Sequence, residues 1–223
     1  MRKLFQNPVR LLCFLTGLIM AVTSIHAVAA TTPTPQPQAG HEYTVLTTPA
    51  GNMPADKIQI LDFFWYGCPH CATFDTKLAA WLKKQGPDVV LKRVPVAFSS
   101  DFVAHQKLYH ALEALGLAEK FSGAIFAEIQ VKRNYLLTPE SQADFLEKHG
   151  VSKKRFLAAW HAFKTASDVQ RDTWLTANYK IDGVPSLIVQ GKYLTSPSMT
   201  KSLDDTTRVL DYLVSRIRSK KAD

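Results

Sequence analysis

Two cysteines separated by two residues form the part of this sequence best suited to chemistry. Cys68 and Cys71 enclose Pro69 and His70, and proline suits the first position of a helix. A helix that begins here brings the two sulfurs close enough to bond, and its unpaired N–H groups favour a negative charge on the first sulfur. We therefore expect a redox pair. Cys68 would be the exposed nucleophile, and the shielded Cys71 would attack the mixed disulfide and release the partner.

A structural bridge and a metal site are the two other interpretations of this motif. A disulfide that closes so short a loop restrains little chain entropy, so it would stabilise the fold poorly. A structural zinc site needs four ligands, and the sequence offers no second pair of ligands at zinc spacing; His105 and His110, five residues apart, do not share a helix face well. We expect no metal and no organic cofactor. His70 can donate to the Cys68 thiolate or attract it as a cation.

The elements that must position the motif follow from the hydrophobic pattern. Residues 58–66 form an apolar run, interrupted at Gln59 and Asp62, that favours a buried central strand. Helical spacing then continues from Pro69 until Gly86, and residues 89–98 predict the next strand. This order of strand, helix and strand places the cysteine pair at the start of the helix.

The second half of the chain predicts a helical block and then a return to the sheet. Residues 99–164 have helical patterning throughout, and a further helix is expected near 167–179. Residues 183–193 (GVPSLIVQGKY) predict a loop, a short strand and a turn, with an edge strand from Lys192 and a last helix over 203–218. The fold class is therefore α/β, interrupted by a block of helices.

Three segments together resemble the DsbA family of periplasmic disulfide-forming enzymes. They are the strand LDFFWYG, the motif Cys68-Pro69-His70-Cys71, and the loop Gly183-Val184-Pro185 with the following SLIVQGKY. The resemblance implies a thioredoxin fold with an inserted helical domain. It divides the chain into a discontinuous thioredoxin-like domain (42–98 and 167–223) and the inserted domain (99–166).

The resemblance also implies roles for individual residues. Cys68 would be the attacking thiolate, Cys71 the resolving thiol, and His70 the residue that lowers the pKa of Cys68; Pro69 belongs to the same motif. Pro185 matches the family's cis-proline, and the backbone of Val184 would pair with an extended substrate. Without the resemblance, an ordinary trans turn would be expected here.

Three further residues of the strand are candidates for the site. Trp65 and Tyr66 are expected to contribute to an apolar substrate surface around Cys68. Asp62 is an acid in an otherwise apolar strand, where burial is costly unless the acid is paired or protonated. In the family, a buried acid at this position, more often glutamate, assists proton transfer at the resolving cysteine. The alternative is a carboxylate paired with Lys92 or Arg93.

The first residues of the chain have the pattern of an export signal. A positive start (Arg2, Lys3, Arg10) precedes an apolar run, and Ala27-Val28-Ala29 suits cleavage after Ala29. A retained anchor is the alternative, but the run is shorter than the roughly 20 residues of a spanning helix. Residues 1–29 are thus expected to be a signal peptide and 30–41, rich in Thr, Pro and Gln, a flexible linker.

Composition supports a globular protein and excludes some partners. The net charge is +8, falling to about +5 without the leader, and the positive residues are scattered, so we expect no nucleic-acid binding. From the resemblance we expect a periplasmic oxidase that donates its Cys68–Cys71 disulfide to reduced, unfolded secreted proteins and is reoxidised by a DsbB-like, quinone-linked membrane protein. Without a separate dimerisation domain, it should be a monomer. The alternatives are an isomerase or reductase, or a non-enzymatic chaperone with a structural bridge.

Overall fold

The cysteine motif joins an interior strand of a mixed sheet to a long helix. The computed structural model describes residues 35–47 and 53–222. The expected signal peptide lies outside the described residues, and so does the first part of the expected linker. The end of that linker forms a turn, in which Gly40 N–H donates to the carbonyl of Tyr43 at 2.8 Å.

The described part contains five strands and eight α-helices. The strands are β1 (Thr44–Val45), β2 (Ile58–Phe64), β3 (Val89–Pro95), β4 (Ser186–Val189) and β5 (Tyr193–Thr195). The helices are α1 (Pro69–Leu82), α2 (Val103–Ala114), α3 (Ala118–Gln130), α4 (Pro139–Glu147), α5 (Lys153–Trp160), α6 (Phe163–Asn178), α7 (Pro197–Thr200) and α8 (Leu203–Ala222). A 3₁₀ turn, Ser100–Phe102, precedes α2.

The strand order β1-β5-β4-β2-β3 places β2 in the interior of the sheet. Strands β2 and β3 are parallel, and the connection between them contains α1, as a parallel pair requires. Strand β4 runs antiparallel to β2, with Phe63 opposite Ser186. Since Ser186 directly follows Pro185, this register carries the Val184–Pro185 loop to the same end of the sheet as the cysteine motif.

Alternate residues of β2 enter different cores. Ile58 and Ile60 pack with α1 and α8, whereas Leu61 and Phe63 pack on the other face with the end of α6. Phe64 enters a third core, built mainly from helices α2 to α5. Both cysteines belong to this third core. The helical block therefore packs against the redox motif itself.

The element predictions were largely correct, with differences at their ends. Strand β3 ends at Pro95 rather than Phe98, because its parallel partner β2 ends opposite Pro95, at Phe64. Val96 N–H makes the last hydrogen bond between them, to the Phe64 carbonyl at 2.8 Å. Helix α6 begins at Phe163, four residues before the expected start. The two-residue β1 and the short α7 were not predicted. Among the described helices, none combines the length and the apolar character needed to cross a membrane.

A buried histidine joins the helical block to α6. His110 Nε2 lies 2.7 Å from Asp172 Oδ2, and its Nδ1 lies 3.0 Å from Glu113 Oε2. The side chains of His110 and Asp172 are fully buried. Burial lowers the pKa of His110, but the hydrogen bonds with Asp172 and Glu113 raise it more. The two carboxylates thus favour an imidazolium at this contact.

Candidate active site

Helix α1 begins at the first cysteine of the pair. Cys68 is its N-cap, with an extended backbone (φ −87°, ψ 116°), and Pro69 follows in the first turn. The Cys71 N–H donates to the Cys68 sulfur at 3.4 Å. Both cysteines are free thiols, so the structure shows the reduced pair.

Cys68 is less exposed than the sequence predicts. The position of the pair on the helix predicts an exposed Cys68 and a shielded Cys71, but both residues are buried, at 8% and 3% exposure. Cys68 is covered because the Val184 loop and the helical block both pack close to it: its thiol donates to the Val184 carbonyl at 3.3 Å. The Val184–Pro185 bond is cis, as the family resemblance implies.

The two thiols have opposite pKa shifts. A hydrogen bond from the Cys71 thiol, followed by the N–H groups of Cys71 and His70, lowers the pKa of Cys68 to about 6, against the opposing effect of burial. The same sulfur–sulfur hydrogen bond and burial raise the pKa of Cys71. Cys68 therefore ionises first, as expected for the nucleophile.

His70 acts on Cys68 more through its backbone than through its charge. Its side chain is exposed, and the charge of the imidazole is the smallest of the effects that lower the pKa of Cys68. The sequence predicts an effect of His70 on the pKa of Cys68 through its imidazole; that effect is present but small, and the backbone N–H of His70 lowers the pKa more. The N–H groups of the first turn lower the pKa of Cys68 more than the imidazole does, because they point at the sulfur from fixed positions.

Asp62 lies in the sheet beneath α1 and has no direct ion pair. The residue is 3% exposed, and its Oδ1 has no hydrogen-bond partner. Burial raises the pKa of Asp62 to about 6, although the charge of Arg93 opposes this shift. The alternative of a carboxylate paired with Lys92 or Arg93 is wrong, because Arg93 forms its ion pairs with Asp75 and Glu119 instead.

The two aromatic residues before the motif have different environments. Tyr66 is 1% exposed and packs edge-on against Phe64 and Phe126, so its ring is part of the core and does not line a substrate surface, contrary to expectation. Trp65 is partly exposed, and its Nε1–H donates to His105 Nδ1 at 3.0 Å.

The Trp65 ring also constrains the turn that leads to the nucleophile. A Cβ atom at Gly67 would lie 2.2 Å from the Trp65 ring, so only glycine fits there. The Cys68 N–H closes this turn by donating to the Trp65 carbonyl at 2.9 Å.

An open groove lies beside the nucleophile. His70, Val184 and Pro185 line one part of it, and Leu194, Met199 and Leu203 contribute further apolar surface. Its volume is about 540 Å³. Serine side chains and Lys201 add polar groups. A groove of this kind suits an extended polypeptide better than a small enclosed ligand.

Gln130 contacts the cysteine motif, and nothing in the sequence indicates this. Its side-chain amide donates to the carbonyls of Tyr66 (2.9 Å) and Cys68 (3.0 Å). A polar residue at the end of a helix is ordinary in a sequence. Only the tertiary fold places it against the motif.

Comparisons with known proteins agree with this geometry. A sequence profile described as the DSBA-like thioredoxin domain matches residues 59–206. The chain is 47% identical over 186 residues to the thiol:disulfide interchange protein DsbA of Burkholderia cepacia, covering 83% of this chain and 88% of that protein. For the DsbA of Azotobacter vinelandii the identity is 36%, over 91% of this chain and 96% of the relative. The crystal structure of Pseudomonas aeruginosa DsbA superimposes with a TM-score of 0.80 at 32% identity, covering 83% of this chain and 97% of that one.

Proposed function

The chain belongs to the DsbA-like thioredoxin family and is a thiol:disulfide oxidoreductase, and from this premise we propose that it works as an oxidase of secreted proteins. The observation that carries the proposal is the place of the Cys68 sulfur at the N-cap of α1, where the Cys71 N–H donates to it and the pKa of Cys68 is lowered to about 6. A cysteine that ionises easily is a good leaving group, and it makes the disulfide a stronger oxidant. DsbA is itself a well-known example of this relation, so the direction of the effect is not a new finding.

The reaction consists of two thiol–disulfide exchanges. A substrate thiolate attacks the sulfur of Cys68, the Cys68–Cys71 bond breaks, and Cys71 leaves as a thiolate and takes up a proton. A second substrate thiolate attacks the substrate sulfur of the mixed disulfide, which closes the substrate disulfide and releases Cys68 as a thiolate. Two electrons pass from the substrate to the cysteine pair.

The surrounding residues are assigned roles in these steps. Val184 would hold an extended substrate through its backbone next to Cys68, where its carbonyl already lies 3.3 Å from the sulfur. Pro185 would form the wall of the groove beside Val184. Trp65, which is partly exposed, would add aromatic surface for the substrate. Asp62, with a pKa of about 6, would exchange a proton with Cys71.

The cellular setting follows from the same premise. We propose export to the periplasm with removal of residues 1–29, division into a thioredoxin-like domain (42–98 and 167–223) and an inserted helical domain (99–166), and action as a monomer. A DsbB-like membrane protein would accept the two electrons and restore the disulfide.

Stoichiometric oxidation of a reduced, unfolded test protein provides the test. The oxidised chain should remove two free thiols per molecule of enzyme, and Cys68→Ser should remove none. Activity that survives in Cys68→Ser would overturn the assignment of the nucleophile. If the reduced chain rearranges scrambled disulfides faster than the oxidised chain introduces new ones, the protein is an isomerase.

A further inference from the structure

The turn that carries the nucleophile is held from the helical block as well as from its own domain. The amide of Gln130, the last residue of α3, donates to the carbonyls of Tyr66 and Cys68 at 2.9 and 3.0 Å. Both acceptors are carbonyls, so only the NH₂ group can make these contacts and the orientation of the amide is fixed by chemistry. One side chain thus spans the Tyr66–Cys68 segment.

We propose that Gln130 is a positioning residue of the redox site, which fixes this turn so that the Cys68 sulfur stays over the first turn of α1. The inference rests on the proposed redox role of Cys68. Gln130 touches neither substrate nor sulfur in its hydrogen bonds, and it acts through the backbone on both sides of Gly67. Glycine is the residue whose backbone varies most freely, so an external restraint has most effect there.

The position of the sulfur matters because its stabilising groups are directional. The Cys71 N–H donates to the sulfur at 3.4 Å, an ordinary length for a hydrogen bond to sulfur, and this bond depends on where the sulfur lies. The Cys68 carbonyl accepts the first hydrogen bond of the helix, from Ala72 N–H at 3.2 Å, as well as that of Gln130. A turn released from Gln130 would let Cys68 move away from these donors, and the thiolate would lose part of its stabilisation.

A second contact from the helical block supports the same arrangement. His105 in α2 accepts from the Trp65 indole at 3.0 Å, while its Nε2 lies 2.8 Å from the Tyr135 carbonyl. Since Nδ1 accepts from Trp65, Nε2 carries the proton and donates to Tyr135. The Trp65 ring in turn covers Gly67. The turn is therefore held at its backbone by α3 and at its first side chain by α2.

Gln142 provides a matched control inside the helical block. Its amide NH₂ also donates to two backbone carbonyls, those of Ala104 (3.0 Å) and Leu136 (2.8 Å). Its oxygen in addition accepts from the Trp160 indole at 2.9 Å, and the residue is fully buried. Neither carbonyl belongs to the cysteine motif. Gln142→Met should therefore lower stability at least as much as Gln130→Met without changing the chemistry of Cys68, so it measures the effect of losing a buried, hydrogen-bonded amide in this block.

The experiment compares Gln130→Met and Gln142→Met in the full chain. The thiolate of the reduced proteins is titrated by its ultraviolet absorbance, and the thiol–disulfide equilibrium with glutathione is measured at neutral pH. For Gln130→Met we expect a higher pKa of Cys68 and an equilibrium shifted about three- to tenfold toward the disulfide, the range of a typical net hydrogen-bond contribution. Gln142→Met should leave both unchanged.

Two results would overturn the proposal. One is an unchanged thiolate titration and equilibrium in Gln130→Met despite a loss of stability like that of Gln142→Met. The other is an equal change in both variants, since the effect would then be general to the helical block. Should Gln130→Met not fold, Gln130→Ala removes the same donor at a partly exposed position. Wild-type oxidation of a test protein is measured separately, so a failure of the oxidase proposal is distinguishable from a failure of this one.

Discussion

Reduction of the cysteine pair should make the stability of the protein depend on pH in a way that the oxidised form does not share. Only the reduced form has a Cys68 thiol that can ionise, with a pKa lowered to about 6. The ordinary pKa of cysteine is about 8.5. A thiol whose folded pKa is lower than its unfolded pKa stabilises the fold at high pH, and this stabilisation is lost as the pH falls through the folded value.

The magnitude follows from the two pKa values. Between pH 5 and pH 8 the Cys68 thiolate should add about 2.5 kcal/mol to the free energy of unfolding of the reduced form, of which about 1.4 kcal/mol is present at pH 7. Titrations common to both redox forms, that of Asp62 included, cancel in the difference. The gain stops growing above about pH 8.5, because Cys71, with its raised pKa, stays protonated in the fold but ionises in the unfolded chain.

The disulfide itself stabilises the oxidised form, and this effect decides which redox form is more stable at neutral pH. Closing so short a loop is worth about 2 kcal/mol in the chain-entropy description. The two redox forms should therefore be equally stable slightly above pH 7, with the oxidised form more stable below that pH and the reduced form more stable above it. A redox pair with an ordinary cysteine would show no such crossing near neutrality.

Denaturant unfolding of both forms at several pH values provides the measurement. We expect the difference in the free energy of unfolding, reduced minus oxidised, to rise by about 2.5 kcal/mol from pH 5 to pH 8. The double variant Cys68→Ser, Cys71→Ser is the control, because reductant should not change its stability at any pH. A difference that stays flat over this range would refute the assignment of a stabilised Cys68 thiolate.

Three further predictions follow from the shifted groups. Alkylation of the reduced protein by iodoacetamide should reach half its maximal rate near pH 6 at Cys68, while Cys71 reacts more slowly throughout; faster labelling of Cys71 would reverse the two roles. Asp62→Asn should raise the free energy of unfolding at pH 7 by about 2–3 kcal/mol, because a carboxyl whose folded pKa is raised to about 6 destabilises the fold once it ionises in the unfolded chain; chemical denaturation checks this, and a loss of stability would contradict it. His110→Gln should destabilise the protein by about 3 kcal/mol at pH 6 and by less at pH 9, since a histidine with a raised pKa stabilises the fold at low pH and the effect fades as the pH rises; equal losses at both pH values would show that Asp172 does not bind an imidazolium.

The main elements could be predicted because their signals are local. Proline at the start of α1, apolar spacing along it, and glycine after its end fix that helix without reference to the rest of the chain. Strand β2 is an apolar run interrupted only at Gln59 and Asp62, as expected of an interior strand. By contrast, β1 has two residues and exists through its pairing with β5, as in Thr44 opposite Leu194. No periodicity can develop in so short a segment.

The candidate site was predictable where residue type alone carries the chemistry. The cysteines and the histidine between them could be identified by type and spacing, whereas Val184–Pro185 was identified through the resemblance to the DsbA family. Their burial could not, because it depends on the helical block folding over the motif. For the same reason Tyr66 was expected at a surface and lies in the core between Phe64 and Phe126. Gln130 depends on tertiary contacts alone.

The opposite pKa shifts of the two cysteines explain why such a site would donate a disulfide rather than keep it. When a second substrate thiolate attacks the mixed disulfide, Cys68 is the leaving group. A thiol of low pKa leaves faster. Because its pKa is raised, Cys71 is stable as a protonated thiol. Asp62, with a pKa of about 6, lies beneath the same helix and would supply the proton. A hydrogen bond from a protonated Cys71 to an ionised Cys68 accounts for both pKa shifts, the lower one of Cys68 and the higher one of Cys71. The ionised Cys68 thereby stabilises the reduced pair, and this contribution, which grows from pH 5 to pH 8, makes the disulfide a stronger oxidant than one between two ordinary cysteines.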